Sequence, residues 1–397
     1  MKLKTTIPVF FSLFGLQSLG LFAAPNPALE IALARRVWQG IPGVERTVQG
    51  RLFYTWYTGG ELEPRPENMA LLCYSGDNGK THSPLRILGA PRRDGTRAFD
   101  PVPWIDPKGR LWYIFNRDNE TTGLRGVHAR ICEAPDAPNP VFGPEFRIGI
   151  DVPYSFCMNK PIVLSSGEWV MPLTYQKQVS KTTPRPARFQ GIGISSDEGK
   201  TWTLRGSVPE APRGSENMII ELKDGRLWML WRTGAGCLYE SFSPDKGITW
   251  SKGAQTTIAN PDSRFFIRRL ASGNLLLVNH FGNDPKARHS HDRRSHLTAQ
   301  LSTDDGRTWN TGLLLDERKR ISYPDGVQDK DGVIWIIYDR NRRGIIEHNH
   351  PEYGHILVAK FREEDVAQGK NVSGAVVLRQ VINSITSSGQ RAKPGGK

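Results

Sequence analysis

No apolar run in this sequence reads as a membrane span. The longest, Ile7 to Phe22, is interrupted by Ser12, Gln17 and Ser18. A spanning helix needs about 20 predominantly apolar residues. With Lys2 and Lys4 before it and Ala23 and Ala24 after it, the stretch reads instead as an export leader cut near Ala23, an uncleaved anchor being the alternative. Residues 1–24 are therefore set aside from the fold, and the mature chain is expected outside the cell or in a periplasm. Cysteine is also scarce. Cys73, Cys132, Cys157 and Cys237 show no close paired spacing and no neighbouring histidine pattern of a zinc site. An exported chain could pair them, but isolated buried thiols are the plainer reading. Alternating helical crossovers are missing too, which excludes a parallel α/β sheet. Only Glu363 to Gln368 reads as a short helical turn. Acidic residues fall short of basic ones, 40 against 53, for a formal charge of +13. No nucleic-acid motif accompanies that excess, so an acidic glycan is the partner that fits an exported basic protein.

What the sequence has is glycine, proline and tryptophan (40, 28 and 11 residues) and two internal repeats. The first repeat is Ser-x-Asp-x-Gly-x-Thr-Trp. It occurs at Ser195–Trp202, Ser243–Trp250 and Ser302–Trp309, and again at Ser75–Thr81 with His82 in place of tryptophan. The aspartates Asp77, Asp197, Asp245 and Asp304 can accept hydrogen bonds from their own turn. The glycine supplies a positive φ, and the tryptophan buries a large ring. Each copy therefore reads as a hairpin turn that staples two strands, not as chemistry. The second repeat is a glycine turn followed by an apolar strand. It begins at Gln49, Lys108, Ser166, Lys223, Ser272 and Asp331, and each copy is preceded by another short strand. Six hairpins about 45–60 residues apart predict an all-β, six-bladed β-propeller over residues 25–383. The blades fall near 35–92, 93–148, 149–208, 209–256, 257–316 and 317–365, with a closing strand over Ala375 to Val381 and a disordered tail over 384–397.

In such a fold the starts of the innermost strands face the central channel. Those starts carry Gln39 and Glu45, Asp100, Asn159 and Lys160, Glu216 and Asn217, Arg264, and Tyr323 and Asp325. So many polar groups beside apolar strands mark a converging site.

The aspartate turns, called Asp boxes, resemble those of bacterial-repeat sialidases, and the resemblance covers nearly all of the mature chain. It implies a retaining exo-glycosidase that releases terminal sialic acid or a related acidic sugar, with no cofactor and no metal. Sialic acid carries its carboxylate on the anomeric carbon, so a neutral tyrosine makes a better nucleophile than a second carboxylate. Ser322-Tyr323-Pro324-Asp325 resembles the tyrosine segment after the last box. Ser215-Glu216-Asn217 resembles the strand whose glutamate takes the tyrosine proton. Three arginines hold the substrate carboxylate in that family, because guanidinium forks match carboxylates bidentately. Arg232 and Arg294 match the second and third. The first belongs in an Arg-Ile-Pro segment, and here the segment is Trp38-Gln39-Gly40-Ile41-Pro42. Arg36 and Arg264 are the candidate replacements. Gln39, Asp100, Asn159 and Lys160 join Arg232, Arg294 and Arg264 as expected substrate contacts. The acid/base belongs on the loop Gly60–Asn68, which holds no aspartate. Glu67 is best placed by spacing, then Glu61, then Asp100 on the next blade.

Histidines cluster late, including His289, His291, His348 and His350, and could serve a metal or act as a base, but they read more simply as solvated loop residues. The chain is expected to act as a monomer on an acidic glycan, without nucleic acid or stable membrane insertion. A lyase or glycosidase for another acidic sugar, or a non-catalytic glycan-binding propeller, remain the alternatives at this point.

Overall fold

A computed structural model describes residues 27–386 apart from 61, 120, 153, 178–186, 210, 283–289 and 343–351. The leader segment and residues 387–397 lie outside the described residues. A helix that the sequence pattern does not announce, α1 (Pro27–Ala34), precedes the first blade.

Six antiparallel sheets follow, each built from consecutive strands. The first holds β1 (Gln39–Arg46), β2 (Leu52–Thr58), β3 (Met69–Ser75) and β4 (Arg86–Gly89). The second holds β5 (Arg97–Ile105), β6 (Leu111–Asp118), β7 (Arg125–Cys132) and β8 (Phe146–Arg147). The third holds β9 (Tyr154–Phe156), β10 (Ile162–Val163), β11 (Trp169–Lys177), β12 (Ala187–Ser195) and β13 (Thr203–Ser207). The fourth holds β14 (Gly214–Glu221), β15 (Leu227–Thr233), β16 (Cys237–Ser243) and β17 (Ala254–Ala259). The fifth holds β18 (Phe266–Arg269), β19 (Leu275–Gly282), β20 (Ser295–Ser302) and β21 (Leu313–Asp316). The sixth holds β22 (Ile321–Gln328), β23 (Val333–Arg340), β24 (Glu352–Arg362) and β25 (Val377–Thr386), with α2 (Glu363–Gln368) between its last two strands. This is the six-bladed propeller that the repeats predict. The last strand starts later than Ala375 and continues past residue 383, so the sixth sheet extends into what reads as a tail.

The second strand of each blade is the most apolar, and the reason is geometric. Neighbouring blades cover both of its faces, so both sets of alternating side chains are buried. Leu52–Thr58 and Leu111–Asp118 are buried at every position. The cores accordingly lie between blades. Trp104, Trp112, Trp169 and Trp202, for example, join the second blade to the third.

The Asp boxes sit between the third and fourth strands of blades one, three, four and five. In the third blade, Thr201 N donates to Asp197 Oδ1 at 2.9 Å and Thr201 Oγ1 to Asp197 Oδ2 at 2.6 Å. Gly199 N donates to Ser195 Oγ at 2.9 Å. The Thr201 bonds hold the Asp197 carboxyl down at about 2. The boxes do more than pin their own blade. The box glycines press on the blade before: a Cβ on Gly199 would stand 2.8 Å from Trp112 of the second blade, as well as from Trp169 of its own, and one on Gly306 would stand 2.4 Å from Trp228. The first box does the same at the ring's seam, where Gln380 Nε2 of the sixth blade donates to Gly79 O at 2.6 Å.

Gly306 combines a φ of 90° with that contact. Gly306→Ala is expected to lower the unfolding free energy by about 1–3 kcal/mol, read from urea unfolding, with turnover by the folded fraction unchanged. Wild-type stability in this variant would refute the inter-blade role of the box.

Candidate active site

Four inner strands carry the same irregularity. The pairing registers shift between Gly40 and Gly43, Phe99 and Val102, Ser215 and Met218, and Ser322 and Asp325. In each bulge one residue takes a left-handed backbone: Ile41 (φ 58°), Asp100 (48°), Glu216 (60°) and Tyr323 (58°). A β-bulge leaves a residue out of the ladder and re-aims its side chain. Proline, which has no N–H for a ladder, follows three of the four: Pro42, Pro101 and Pro324. Each such non-glycine backbone costs about 1–3 kcal/mol and is found most often at functional sites. The result is a repeated device that turns one side chain per strand into the same space. All four residues line one cavity of about 310 Å³, together with Glu63, Arg97, Phe156, Arg188 and Arg232.

At its centre Tyr323 Oη donates to Glu216 Oε1 at 2.6 Å. Arg232 Nη1 donates to Glu216 Oε1 at 2.7 Å and to Tyr323 Oη at 2.6 Å, and Arg232 Nε to Asp262 Oδ1 at 2.6 Å. Burial pushes the Tyr323 hydroxyl up to about 12, against the pull of the Arg232, Arg342 and Arg294 charges. The hydroxyl is therefore neutral at rest, with its proton directed at a carboxylate. Arg294 is fully buried on the other side. It donates to Ser322 Oγ at 2.9 Å and to Asp262 O at 2.6 Å, and its Cζ is 5.5 Å from the Tyr323 ring centroid. Burial, aided by Arg232, lowers the Arg294 guanidinium to about 10, where it is still a cation at neutral pH.

Several residues expected to meet substrate lie off the cavity wall or have their polar groups on protein carbonyls. Glu67 is exposed and off the cavity wall, because its loop turns there and Asn68, not Glu67, points inward to bond Gly59 O. Glu61 lies outside the described residues. The loop delivers Glu63 to the cavity instead. Arg264 spends its donors on Met158 O, Pro42 O and Tyr323 O, at 2.8, 2.7 and 3.2 Å, so it braces the Tyr323 backbone from behind. Asn159 bonds Glu216 O and Asn217 O at 3.0 and 2.8 Å. Lys160 bonds Val44 O and, at 2.8 Å, Gly326 O, which ties three blades together in the channel. Gln39 donates to Gly354 O across the seam. A start-of-strand position places a residue near the channel but does not decide between its mouth and its wall. Asp100 does reach the cavity. Arg342 also stands against Tyr323; it lies two residues past a strand end, and its only forewarning in the sequence is the missing side chain at Gly40.

His289, His348 and His350 lie outside the described residues. Among the described residues no group of three His, Cys, Asp or Glu side chains is placed to hold a metal. His280, buried near Arg294, is pushed down to about 3 by burial and is neutral. The four cysteines are separate thiols.

A family profile described as a BNR repeat-like domain matches residues 50–336. The chain belongs to the BNR repeat-like family. Within the family's reach, a sialidase of Paraclostridium sordellii is 38% identical over 199 residues, 44% of this chain and 48% of the relative. The chain thus aligns with about half the length of that curated relative. Among solved structures, a Hadza microbial sialidase superposes with a TM-score of 0.66 at 18% identity, covering 83% of this chain and 66% of its own. The intramolecular trans-sialidase from Ruminococcus gnavus, solved with oseltamivir carboxylate, gives 0.61 at 12%, covering 84% and 96%. Trypanosoma rangeli sialidase, solved with the inhibitor DANA, gives 0.57 at 16%, covering 77% and 53%. These likenesses show that this member of the family has the sialidase-type propeller fold.

Asp100 supplies a pH test of the site. Burial, then the charge of Glu63, raises its carboxyl from 3.8 to about 8. Between those values the folded state holds a proton that the unfolded chain has released, so stability falls as pH rises through that window. Relative to Asp100→Asn, the wild-type unfolding free energy is expected to decline from about pH 4 to about pH 8 in urea titrations. A pH-independent difference would show that Asp100 is ionised throughout.

Proposed function

We propose that this protein is a retaining exo-sialidase that cleaves terminal α-linked sialic acid, or a closely related acidic sugar, from glycans. The observation that carries the reading is the 2.6 Å bond from Tyr323 Oη to Glu216 Oε1 inside a buried group of guanidinium groups. Tyr323 Oη attacks the anomeric carbon as Glu216 takes its proton, and the bond to the aglycone oxygen breaks. A carboxylic acid protonates that oxygen. Water then attacks the anomeric carbon and the tyrosyl–sugar bond breaks; the water loses one proton to the acid/base and keeps the other on the new hydroxyl, while Glu216 returns to the tyrosine oxygen the proton it took in the first step. Burial keeps the tyrosine neutral beside the substrate carboxylate, and Arg232 and Arg294 attract that carboxylate.

Two carboxyls share the cavity with the pair. Asp100 is buried at the floor and held protonated, which suits a donor to a sugar hydroxyl. Glu63 lines the same cavity with about 17% of its side chain exposed, which leaves it more open than Asp100 to a departing aglycone. Glu63 is therefore assigned as acid/base in place of Glu67. The basic, apolar and small-residue order of residues 1–24 supports export, and protein recovered from medium or periplasm is expected to begin near residue 24 by N-terminal sequencing.

Release of 4-methylumbelliferone from its α-sialoside tests the chemistry. Tyr323→Phe and Glu216→Ala are expected to lower kcat by roughly 10²–10⁴-fold. Glu63→Gln is expected to lose far more activity on a natural sialyl-glycan than on the aryl substrate, whose leaving group needs little protonation. Binding of acidic glycans with no turnover by the wild type would overturn the enzymatic reading, and equal losses on both substrates would remove Glu63 from the acid/base role.

A further inference from the structure

Position 40 directly precedes Ile41-Pro42, where an arginine is expected and a glycine stands. A Cβ on Gly40 would lie 2.8 Å from Arg342 Cδ and 3.2 Å from Arg342 Cβ. Those separations are too short for both side chains. Arg342 thus runs through the ground that a residue-40 side chain would cross. It comes from the sixth blade, beyond β23, after Asn341 turns the chain with a φ of 56°. Its Cζ ends 4.3 Å from the Tyr323 ring centroid, closer than Arg294 at 5.5 Å or Arg232 at 5.9 Å. Burial works against its charge, but Asp339 Oδ2 at 3.6 Å and Glu63 Oε1 at 3.8 Å keep its proton held more tightly than usual. Four guanidinium groups therefore lie around the Tyr323 ring, and of these Arg264, at 5.2 Å, is committed to backbone carbonyls, which leaves Arg232, Arg294 and Arg342 from blades four, five and six.

We infer that Arg342 is a carboxylate-binding residue of this site, delivered across the seam between the last and first blades into the space that Gly40 leaves open. The inference rests on the acidic-sugar reading above. A carboxylate attached to the carbon that Tyr323 attacks must lie beside the Tyr323 side chain, where Arg232 is bonded to the hydroxyl and Arg342 presents the guanidinium nearest the ring. Gly40 and Arg342 form a reciprocal pair: either position can carry the arginine, but not both. The backbone at Gly40 is outside the left-handed region, and shortening Arg342 removes the 2.8 Å contact; Asp339 Oδ2 at 3.1 Å and the residue-342 Cβ at 3.2 Å must then give by a few tenths of an ångström to admit a side chain.

The test uses the aryl α-sialoside and its methyl ester, in which the carboxylate charge is masked. Arg342→Ala is expected to raise KM for the free acid roughly 10- to 100-fold, the scale of one lost charge-assisted partner. The methyl ester should change little, so the preference for the acid collapses. Arg342→Lys should not restore it, because an ammonium lacks the planar fork. Gly40→Arg alone should impair the enzyme through the clash, whereas Gly40→Arg combined with Arg342→Ala should recover much of the acid preference. Arg342→Gln serves the same comparison if Arg342→Ala does not give a cooperative unfolding transition. An Arg342 variant that folds and still separates acid from ester as sharply as the wild type overturns the inference and leaves the sialidase reading standing. A wild type that turns over neither substrate removes that reading, and this one with it.

Discussion

The carboxylate of Asp339 holds the ring closed at the point where the chemistry sits. Each blade is made of consecutive strands, so the first and last blades share no ladder and must be joined by other means. Asp339 Oδ2, fully buried, accepts from Ile41 N at 2.8 Å, and Asp325 Oδ2 accepts from Val44 N at 2.9 Å. A carboxylate out of water is costly unless it is paired and hydrogen-bonded. Here Oδ2 is satisfied by a backbone amide in the bulge of β1 and by the Arg342 charge, while Oδ1 is buried without a hydrogen-bond partner. Burial still pushes the Asp339 carboxyl above its usual range, with Arg342 pulling it back. Closure, the bulge at Ile41 and the placement of Arg342 are thus one arrangement.

The bulges explain how a rigid all-β scaffold presents chemistry. A regular ladder would point alternate side chains into the spaces between blades. An extra residue with a left-handed backbone turns one side chain toward the channel mouth instead. The strain is sustained because the flanking strand pairs and the inter-blade cores fix the chain on both sides. Arg264 adds a direct brace, bonding Pro42 O and Tyr323 O, the backbone of two of the bulges. Asn159 serves the same end by holding Glu216 O and Asn217 O within a bulge, and Lys160 holds Val44 O and Gly326 O just beyond two others.

The fold was legible in the repeats because each box and each glycine turn is a local device. Ser195–Trp202 closes its turn with bonds inside eight residues, so its meaning survives without tertiary context. Tyr323, Glu216, Arg232 and Arg294 could be named from their distance to those turns. Glu67 is best placed by spacing yet is exposed, whereas Glu63 lines the cavity, because spacing along a loop does not say which way its carboxylates point. Lys160, Asn159, Gln39 and Arg264 have the right residue types at the right strand starts. Whether such donors face a substrate or a carbonyl depends on the neighbouring blade. Arg342 follows a strand end in a run of charged residues, where nothing local separates it from a solvated arginine.

By itself, the sequence determined that the chain folds into six antiparallel blades stapled by aspartate turns, because turn chemistry and strand periodicity act over a few residues. Only the tertiary structure decided which polar side chains share the cavity, because blades far apart in sequence contribute them. The bond between Tyr323 and Glu216 spans 107 positions, and the contact that places Arg342 over Gly40 joins the end of the ring to its beginning. Such contacts exist only once the ring has closed.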